Sequence, residues 1–242
     1  MTRSAAARPF RYDWKGFLLL CGIYLVVVFL WRTPWVLPLK LLVVLFHELS
    51  HGIAAVLTGG RIAEIQVSPD QGGHCVTAGG VPVVVVSAGY LGSLFFGVML
   101  LLTATRTRVS PVVAGLLGAA LAFVALRFMP AGSSGQWIAG LWGIAFVVLA
   151  VLPRPASELA LRIVAVTSCL YAILDIKSDV LDQDHPASDA SQLAKLTGVP
   201  AFLWGVFWIG ISVVVTAIAA KRAITGPPPG RTPTERGEPS AR

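Results

Sequence analysis

Residues 35–57 read WVLPLKLLVVLFHELSHGIAAVL, and this stretch decides the fold. It is an apolar run of membrane-spanning length, and its polar centre is His47-Glu48-Leu49-Ser50-His51. Ionisable side chains inside an apolar span are costly and usually mark a functional site. We therefore predict a transmembrane helix that contains a reactive centre.

The composition supports a membrane protein throughout. Apolar residues make up 55% of the 242 residues and charged residues 13%, which is about half the charged share of a soluble domain. Six further apolar runs accompany residues 35–57, and we number all seven segments in chain order, so that residues 35–57 are segment two. They lie at about 15–31, 35–57, 83–103, 111–129, 136–152, 157–176 and 199–220.

The expected fold class is an all-α multi-pass transmembrane bundle of about six or seven helices. Basic residues near the N-terminus predict that this end is cytoplasmic. Seven spans would place the basic C-terminal tail on the other side, so we expect either that one segment is re-entrant or that the tail is a weak determinant of topology. Segments four and five, joined by MPAGSSGQ (129–136), are the expected place for a miscount.

The stretch at 61–81 breaks the helical pattern. It contains two short alternating runs, IAEIQV and HCVTA, separated by PDQGG and flanked by glycine pairs. This pattern predicts a small Gly-rich β-hairpin inserted after the second segment. Because lipid offers no hydrogen-bond partners, such a hairpin must lie against protein if it enters the membrane.

The five residues 47–51 match the HExxH pattern of zinc metalloproteases. Residues four apart share one face of a helix, so His47 and His51 can bind one ion while Glu48 acts as a general base on zinc-bound water. In the alternative interpretation the histidines hydrogen-bond neighbouring helices and Glu48 pairs with a cation. We favour the metal site, because three polar groups within one apolar span need a compensating role.

A catalytic zinc needs a third protein ligand. Acidic residues cluster late in the chain, and Asp175 ends an apolar segment. An even number of crossings separates this segment from the second, so both run in the same direction and Asp175 reaches a depth near the histidines. Asp179, one helical turn further, is the alternative ligand or a partner of an imidazole. Asp182, Asp184 and Asp189 are expected in a solvated loop.

Together these residues carry a resemblance. The run HELSHGIAAVLTGG, the Gly-rich hairpin, AGYLGS (88–93) and an aspartate late in the chain resemble the site-2 protease family of intramembrane zinc metallopeptidases. In that family a later Leu-Asp-Gly helix supplies the third ligand. Leu174-Asp175-Ile176 matches it, with Ile176 where the family usually has glycine. The resemblance covers about residues 36–190 and is to a short bacterial form without a PDZ domain.

The resemblance implies a zinc-dependent intramembrane endopeptidase that holds one Zn²⁺ per chain. Its substrates would be membrane proteins with a single transmembrane helix, cut within the membrane as in regulated intramembrane proteolysis. We expect the hairpin to bind an extended substrate strand, because strands pair through backbone hydrogen bonds. The candidate substrate-binding residues are Gln66, Val67, Gly72, Gly73 and His74.

The remaining expectations concern organisation. Residues 1–14 form a basic head, 15–222 the integral membrane metalloprotease domain, and 223–242 a disordered tail. The net charge of +7 lies mainly in loops and ends, which is typical of a multi-pass protein of the cell membrane facing the lipid bilayer and does not predict nucleic-acid binding. The sequence leaves the oligomeric state open.

Two other functions fit the same motif. One is a different membrane metallohydrolase, because HExxH does not define the substrate. The other is a non-catalytic, metal-binding membrane scaffold of the same fold.

Overall fold

The computed structural model describes residues 12–177 and 188–225 and confirms the predicted fold class. A helical bundle carries one two-stranded antiparallel sheet. Its elements are α1 (Trp14–Leu30), a 3₁₀ turn (Pro34–Val36), α2 (Leu37–Leu57), β1 (Arg61–Val67), β2 (Gly73–Ala78), α3 (Pro82–Arg106), α4 (Ser110–Arg127), α5 (Ser134–Val151), α6 (Arg154–Ile176), α7 (Asp189–Thr197) and α8 (Ala201–Ile224).

Among the described residues, six helices are long and apolar enough to cross a membrane, and the chain is an integral membrane protein. They are α2 with its 3₁₀ turn, α3, α4, α5, α6 and α8. α1, with 17 residues, is apolar but shorter. All seven apolar segments predicted from the sequence are helices, and α7 is an additional short helix.

α2 occupies the centre of the bundle. Leu42, Val43, Leu45 and Phe46 are fully buried, although they point in different directions around the helix. A helix that is apolar on all sides is expected to be enclosed by other elements. α3 and the hairpin cover α2 near the HExxH sequence, so this centre lies inside protein and away from lipid.

Both ends of the described chain lie on one face of the bundle, which we call the terminal face. The N–H of Asp13 donates to the carbonyl of Ile224 at 2.8 Å, and Nε of Arg106 donates to the carbonyl of Arg222 at 2.8 Å. α1 therefore begins where α3 and α8 end.

The expected miscount at segments four and five is wrong, because α4 and α5 are two complete helices. The alternation of direction fails between α1 and α2 instead. Val36, just before α2, packs beside Ile23 and Val27 in the middle of α1. The chain doubles back along α1, and α2 then runs in the same sense as α1.

The hairpin is confirmed, with β1 and β2 paired from Arg61 with Ala78 to Val67 with Gly73 and a bulge between Ile62 and Glu64. The outer edge of β1 is occupied. The N–H of Ile65 donates to the carbonyl of Phe128 at 2.9 Å. The carbonyl of Val67 accepts the hydroxyl of Ser134 at 2.9 Å. The hairpin therefore lies against α4 and α5, as a sheet within a membrane protein requires.

Most of the predicted head (1–14) and tail (223–242) lies outside the described residues. Where the structure meets them, α1 begins at Trp14 and α8 continues to Ile224.

α4 and α5 approach each other through glycines. A Cβ added to Gly118 would lie 2.7 Å from the carbonyl oxygen of Gly143 and 2.9 Å from the backbone nitrogen of Val147. Close backbone contact through small residues is a common way for membrane helices to associate, because lipid gives no hydrophobic force between them.

We predict that Gly118→Ala destabilises the protein by about 1–3 kcal/mol, because the new methyl group meets backbone atoms that cannot rotate away. Gly140→Ala on α5 is the matched control, since a Cβ there has no atom within 4 Å. Thermal unfolding of the purified protein in detergent measures both. A melting temperature for Gly118→Ala equal to or above that of Gly140→Ala would contradict this packing.

Candidate metal centre

His47 and His51 lie one turn apart on α2, and α3 crosses directly over them. The ring centroids of the two imidazoles are 4.8 Å apart. The crossing is close because α3 has a glycine there: a Cβ on Gly89 would collide with Nε2 of both histidines. The next glycine, Gly92, lies against Ser50 in the same way. The small residues that the sequence places in AGYLGS thus set the distance between α3 and the two imidazoles.

A third ionisable group completes the cluster, and it is Asp189. Asp189 is the first residue of α7, whose N-terminus is capped by the Ser188 side chain. Its Oδ2 lies 3.2 Å from Nε2 of His47 and 3.3 Å from Nε2 of His51. The residue is 8% exposed, so the expectation that Asp189 lies in a solvated loop is wrong.

These three side chains fit a metal ion. Their ligand atoms all lie within 4.8 Å of one another. Neighbouring ligand atoms around a tetrahedral zinc are about 3.3 Å apart, given ligand distances of about 2.0–2.1 Å, and both measured distances from Asp189 agree with this value. Oδ2 of Asp189 is also buried without a hydrogen-bond partner, which is a costly state that a bound cation relieves.

Asp189 is in the charge state that a metal ligand needs. Burial acts to raise the pKa of this carboxyl group, but the facing imidazoles of His51 and His47 outweigh it and hold the pKa below its usual range. Asp189 is therefore a carboxylate, which is the form that binds metals.

A backbone contact orients one imidazole. Nδ1 of His51 lies 2.7 Å from the carbonyl oxygen of Val85 on α3. A carbonyl accepts a hydrogen bond, so Nδ1 carries the proton and Nε2 presents its lone pair towards Asp189 and His47. The ring of His47 packs edge-on against Tyr90, with 4.8 Å between centroids. Both rings are thus held by α3.

Glu48 lies beside the beginning of β2. It is 6% exposed, and a Cβ on Gly73 would lie 2.6 Å from its Oε1. The hairpin backbone approaches this carboxylate because Gly73 has no side chain. The second glycine of PDQGG, noted in the sequence as part of a turn, therefore has a second role as a contact with Glu48.

A cavity of about 980 Å³ opens over the cluster. Glu48, both histidines and Asp189 line it together with β2 and part of α6. Cys75 also lines the cavity, but burial and then the charge of Glu48 raise the pKa of its thiol to about 12. Cys75 is thus a neutral thiol and a poor competitor for a metal ion.

Asp175, the expected third ligand, lines the same cavity but does not belong to the group of three donors. Its place at the end of α6 brings it to the depth of the histidines, as predicted from the even number of crossings between the two segments. α7 brings Asp189 closer to the two histidines. Asp179, the alternative ligand, lies outside the described residues, as do Asp182 and Asp184.

The sequence around Asp189 contains a signal for a helix start. SDASQLAKLTG (188–198) begins with an N-capping serine and ends with Gly198, whose φ is 76°. A capped amphipathic turn of this kind predicts a short helix rather than a solvated loop. Asp189 is its first residue, where α7 begins to pack against α3 and α8.

The predicted substrate-binding residues divide into two groups. Gly72, Gly73 and His74 line the cavity. Gln66 and Val67 do not: Val67 is 1% exposed and its carbonyl is bound by Ser134. β1 contacts α4 and α5, whereas β2 lines the cavity, so substrate binding by Gln66 and Val67 stays a prediction that the cavity lining does not support.

Comparison with known proteins agrees with this centre. A family model described as Peptidase M50B-like matches residues 20–219. No curated protein and no solved structure matches the chain. The matched range contains the HExxH helix, the hairpin and α7.

We predict that Asp189→Asn weakens zinc binding by more than about 100-fold, since loss of an outer-shell partner alone costs about 10- to 100-fold. Asp175→Asn is the matched control and should weaken binding by no more than roughly 10-fold. Zinc affinity is measured by competition with a chromophoric chelator in detergent. A greater loss for Asp175→Asn than for Asp189→Asn would return the third ligand to α6.

Proposed function

This chain belongs to the site-2 protease family (Peptidase M50B-like), and on that premise we propose that it is a zinc-dependent endopeptidase that cleaves transmembrane segments. The observation that carries the proposal is the buried group of His47, His51 and Asp189 with Glu48 beside it. Two imidazoles, one carboxylate and a neighbouring glutamate are the components of a zinc peptidase.

In this proposal His47, His51 and Asp189 hold one Zn²⁺. When bound, the ion lowers the pKa of water and polarises the carbonyl that is attacked. Glu48 accepts the proton of the attacking water and then donates it to the nitrogen of the leaving amine. Val85 supports this chemistry indirectly, because its carbonyl keeps the proton of His51 on Nδ1.

The cavity supports hydrolysis inside the membrane. Hydrolysis consumes water, and irregular polar backbone is tolerated at membrane depth where it borders a hydrated space. Residues 70–74, at the turn of the hairpin, contribute polar backbone to the cavity. The cavity thus offers water a route to Glu48 that the surrounding apolar helices do not.

We propose that the substrate binds as a strand along β2. The ladder pattern supports this. Ile65 donates its N–H to Phe128 and not across the hairpin, so Ile65 and Cys75 form a non-hydrogen-bonded pair. The N–H of Cys75 then points away from β1, towards the outer edge of β2, which is a free edge among the described residues. A substrate strand added at this edge would pass Gly73, and hence Glu48.

The expected substrates are membrane proteins with a single transmembrane helix, in the cell membrane. A helix satisfies its own backbone hydrogen bonds, so its peptide carbonyls are shielded until it unwinds. Pairing with β2 compensates the substrate for the hydrogen bonds that it loses. We propose on this basis that the hairpin selects substrates by how readily they unwind near the cut.

We predict that Glu48→Gln keeps zinc at about one ion per chain but lowers cleavage of a single-span substrate by at least about 100-fold, because the amide accepts no proton. Asp175→Asn serves as the control for a neutralised cavity carboxylate and should keep cleavage. Zinc content is measured by elemental analysis, and cleavage by gel electrophoresis in detergent.

The result also separates the alternatives. Zinc in both proteins with cleavage in neither indicates a metal-binding scaffold or another hydrolase. Absence of zinc from both overturns every enzymatic function.

We further predict that Cys75→Pro lowers cleavage by at least about 10-fold while zinc stays bound, since proline removes the N–H at the free edge of β2. Proline is tolerated at such edge positions, so the hairpin should persist. Cys75→Ala keeps the N–H and removes the thiol, and it should cleave normally. Equal activity of the two variants would refute strand pairing at β2.

A further inference from the structure

A second cavity lies away from the metal centre and has the opposite character. It is an apolar groove of about 620 Å³ between α1, α6 and α8. Residues of α1 between Phe17 and Leu25, of α6 between Val166 and Leu174, and of α8 between Thr216 and Ile224 form most of its lining. Nothing in the proposed hydrolysis uses this groove.

Each of these three helices lines the groove over a stretch that is no longer than one leaflet of a bilayer. The lining of α1 and that of α8 each extend over nine residues, which is about 12 Å at 1.5 Å per residue. The hydrocarbon core of a bilayer is about 30 Å thick, so one leaflet is about 15 Å. A transmembrane helix needs the full thickness, and an acyl chain needs one leaflet. A stretch of this length matches an acyl chain, which favours a lipid chain as the occupant.

Basic residues lie at the end of the groove next to the terminal face, in the first turn of α1 and the last turn of α8. Lys15 lies two residues before Phe17, and Lys221 and Arg222 follow Ala220, which lines the groove. All three are exposed. Arg106 is joined to this end by its hydrogen bond to the carbonyl of Arg222.

Two acidic side chains described near this end have hydrogen-bond or ion-pair partners within the protein. Oδ1 of Asp13 accepts the N–H of Gly16 at 2.9 Å, which caps α1. Glu158 forms an ion pair with Arg154 at 2.5 Å. The aromatic rings of Tyr12, Trp14 and Phe17 also cluster here, which is typical of the level of lipid headgroups.

We propose that this groove binds an anionic glycerophospholipid, with an acyl chain between α1, α6 and α8 and its phosphate among Lys15, Lys221 and Arg222. The apolar lining recognises the chain, and the basic end recognises the negative charge. Basic pockets between membrane helices bind anionic headgroups in this manner. The lipid would fill the space that separates α1 from α8.

The test uses the full-length protein in detergent and native mass spectrometry of retained lipid. Phosphatidylglycerol and phosphatidylcholine with the same acyl chains are added separately, and glycerol 3-phosphate is added as a headgroup without chains. The charge variant is Lys221→Gln/Arg222→Gln. Its matched control, Arg61→Gln/Arg127→Gln, removes two cations near the hairpin end. The groove variant is Ala220→Phe, with Ala220→Leu as a milder replacement if the first does not fold.

We expect one phosphatidylglycerol per chain, weaker retention of phosphatidylcholine and no binding of glycerol 3-phosphate. The affinity of the charge variant for phosphatidylglycerol should fall roughly 25-fold, at about 5-fold per cation, while the control variant binds with the affinity of the wild type. The groove variant should lose both lipids. Equal retention of the two lipids by the wild type, equal loss in charge variant and control, or unchanged binding by folded groove variants would each overturn the proposal.

Discussion

The structure depends on the burial of one carboxylate between two imidazoles inside an apolar bundle. Burying ionisable groups is costly unless they are paired or bind a metal. Asp189 lies within 3.3 Å of both histidines, so the pairing is made, yet its Oδ2 has no hydrogen bond. Several features of neighbouring elements make this arrangement possible. Gly89 allows α3 to approach, Val85 orients His51, and α7 begins where its first residue can reach α2.

The hairpin solves a second problem of solvation. A sheet has two edges, and in a membrane each edge needs partners. The main chain of β1 meets α4 and α5 through Phe128 and Ser134. The edge of β2 borders the polar cavity instead, where water can satisfy it. The two edges differ because of how the hairpin packs. β1 fixes the hairpin against α4 and α5, and β2 therefore lies next to Glu48, where its edge can bind a substrate strand.

The sequence was informative where the structure is local. The HExxH spacing predicted that two histidines share a helix face, and the glycine pairs predicted the hairpin, because these features depend on residues close in the chain. The third donor was mispredicted because it depends on where α7 packs against α3 and α8, a long-range contact that no periodicity encodes. The even number of crossings between α2 and α6 does place the C-terminal end of α6 at the site, since Asp175 lines the cavity. The alternation of helix direction expected for successive spans also fails between α1 and α2, where the short turn at residues 31–36 returns the chain along α1.

α6 separates the polar cavity over the metal centre from the apolar groove between α1, α6 and α8. Tyr171 and Asp175, four residues apart, face the polar cavity, whereas Leu170 and Leu174, also four apart, face the apolar groove. A spacing of four keeps each pair on its own side of the helix. The inner part of α6 is fixed against α3, where Gly97 approaches Cys169 and the hydroxyl of Ser168 donates to the carbonyl of Ser93. These contacts fix the orientation of α6 about its own axis. Its polar residues therefore stay on the side of the cavity, and its apolar residues stay on the side of the groove. Hydrolysis within a membrane requires such a partition, because Glu48 needs water while the surrounding helices need hydrocarbon.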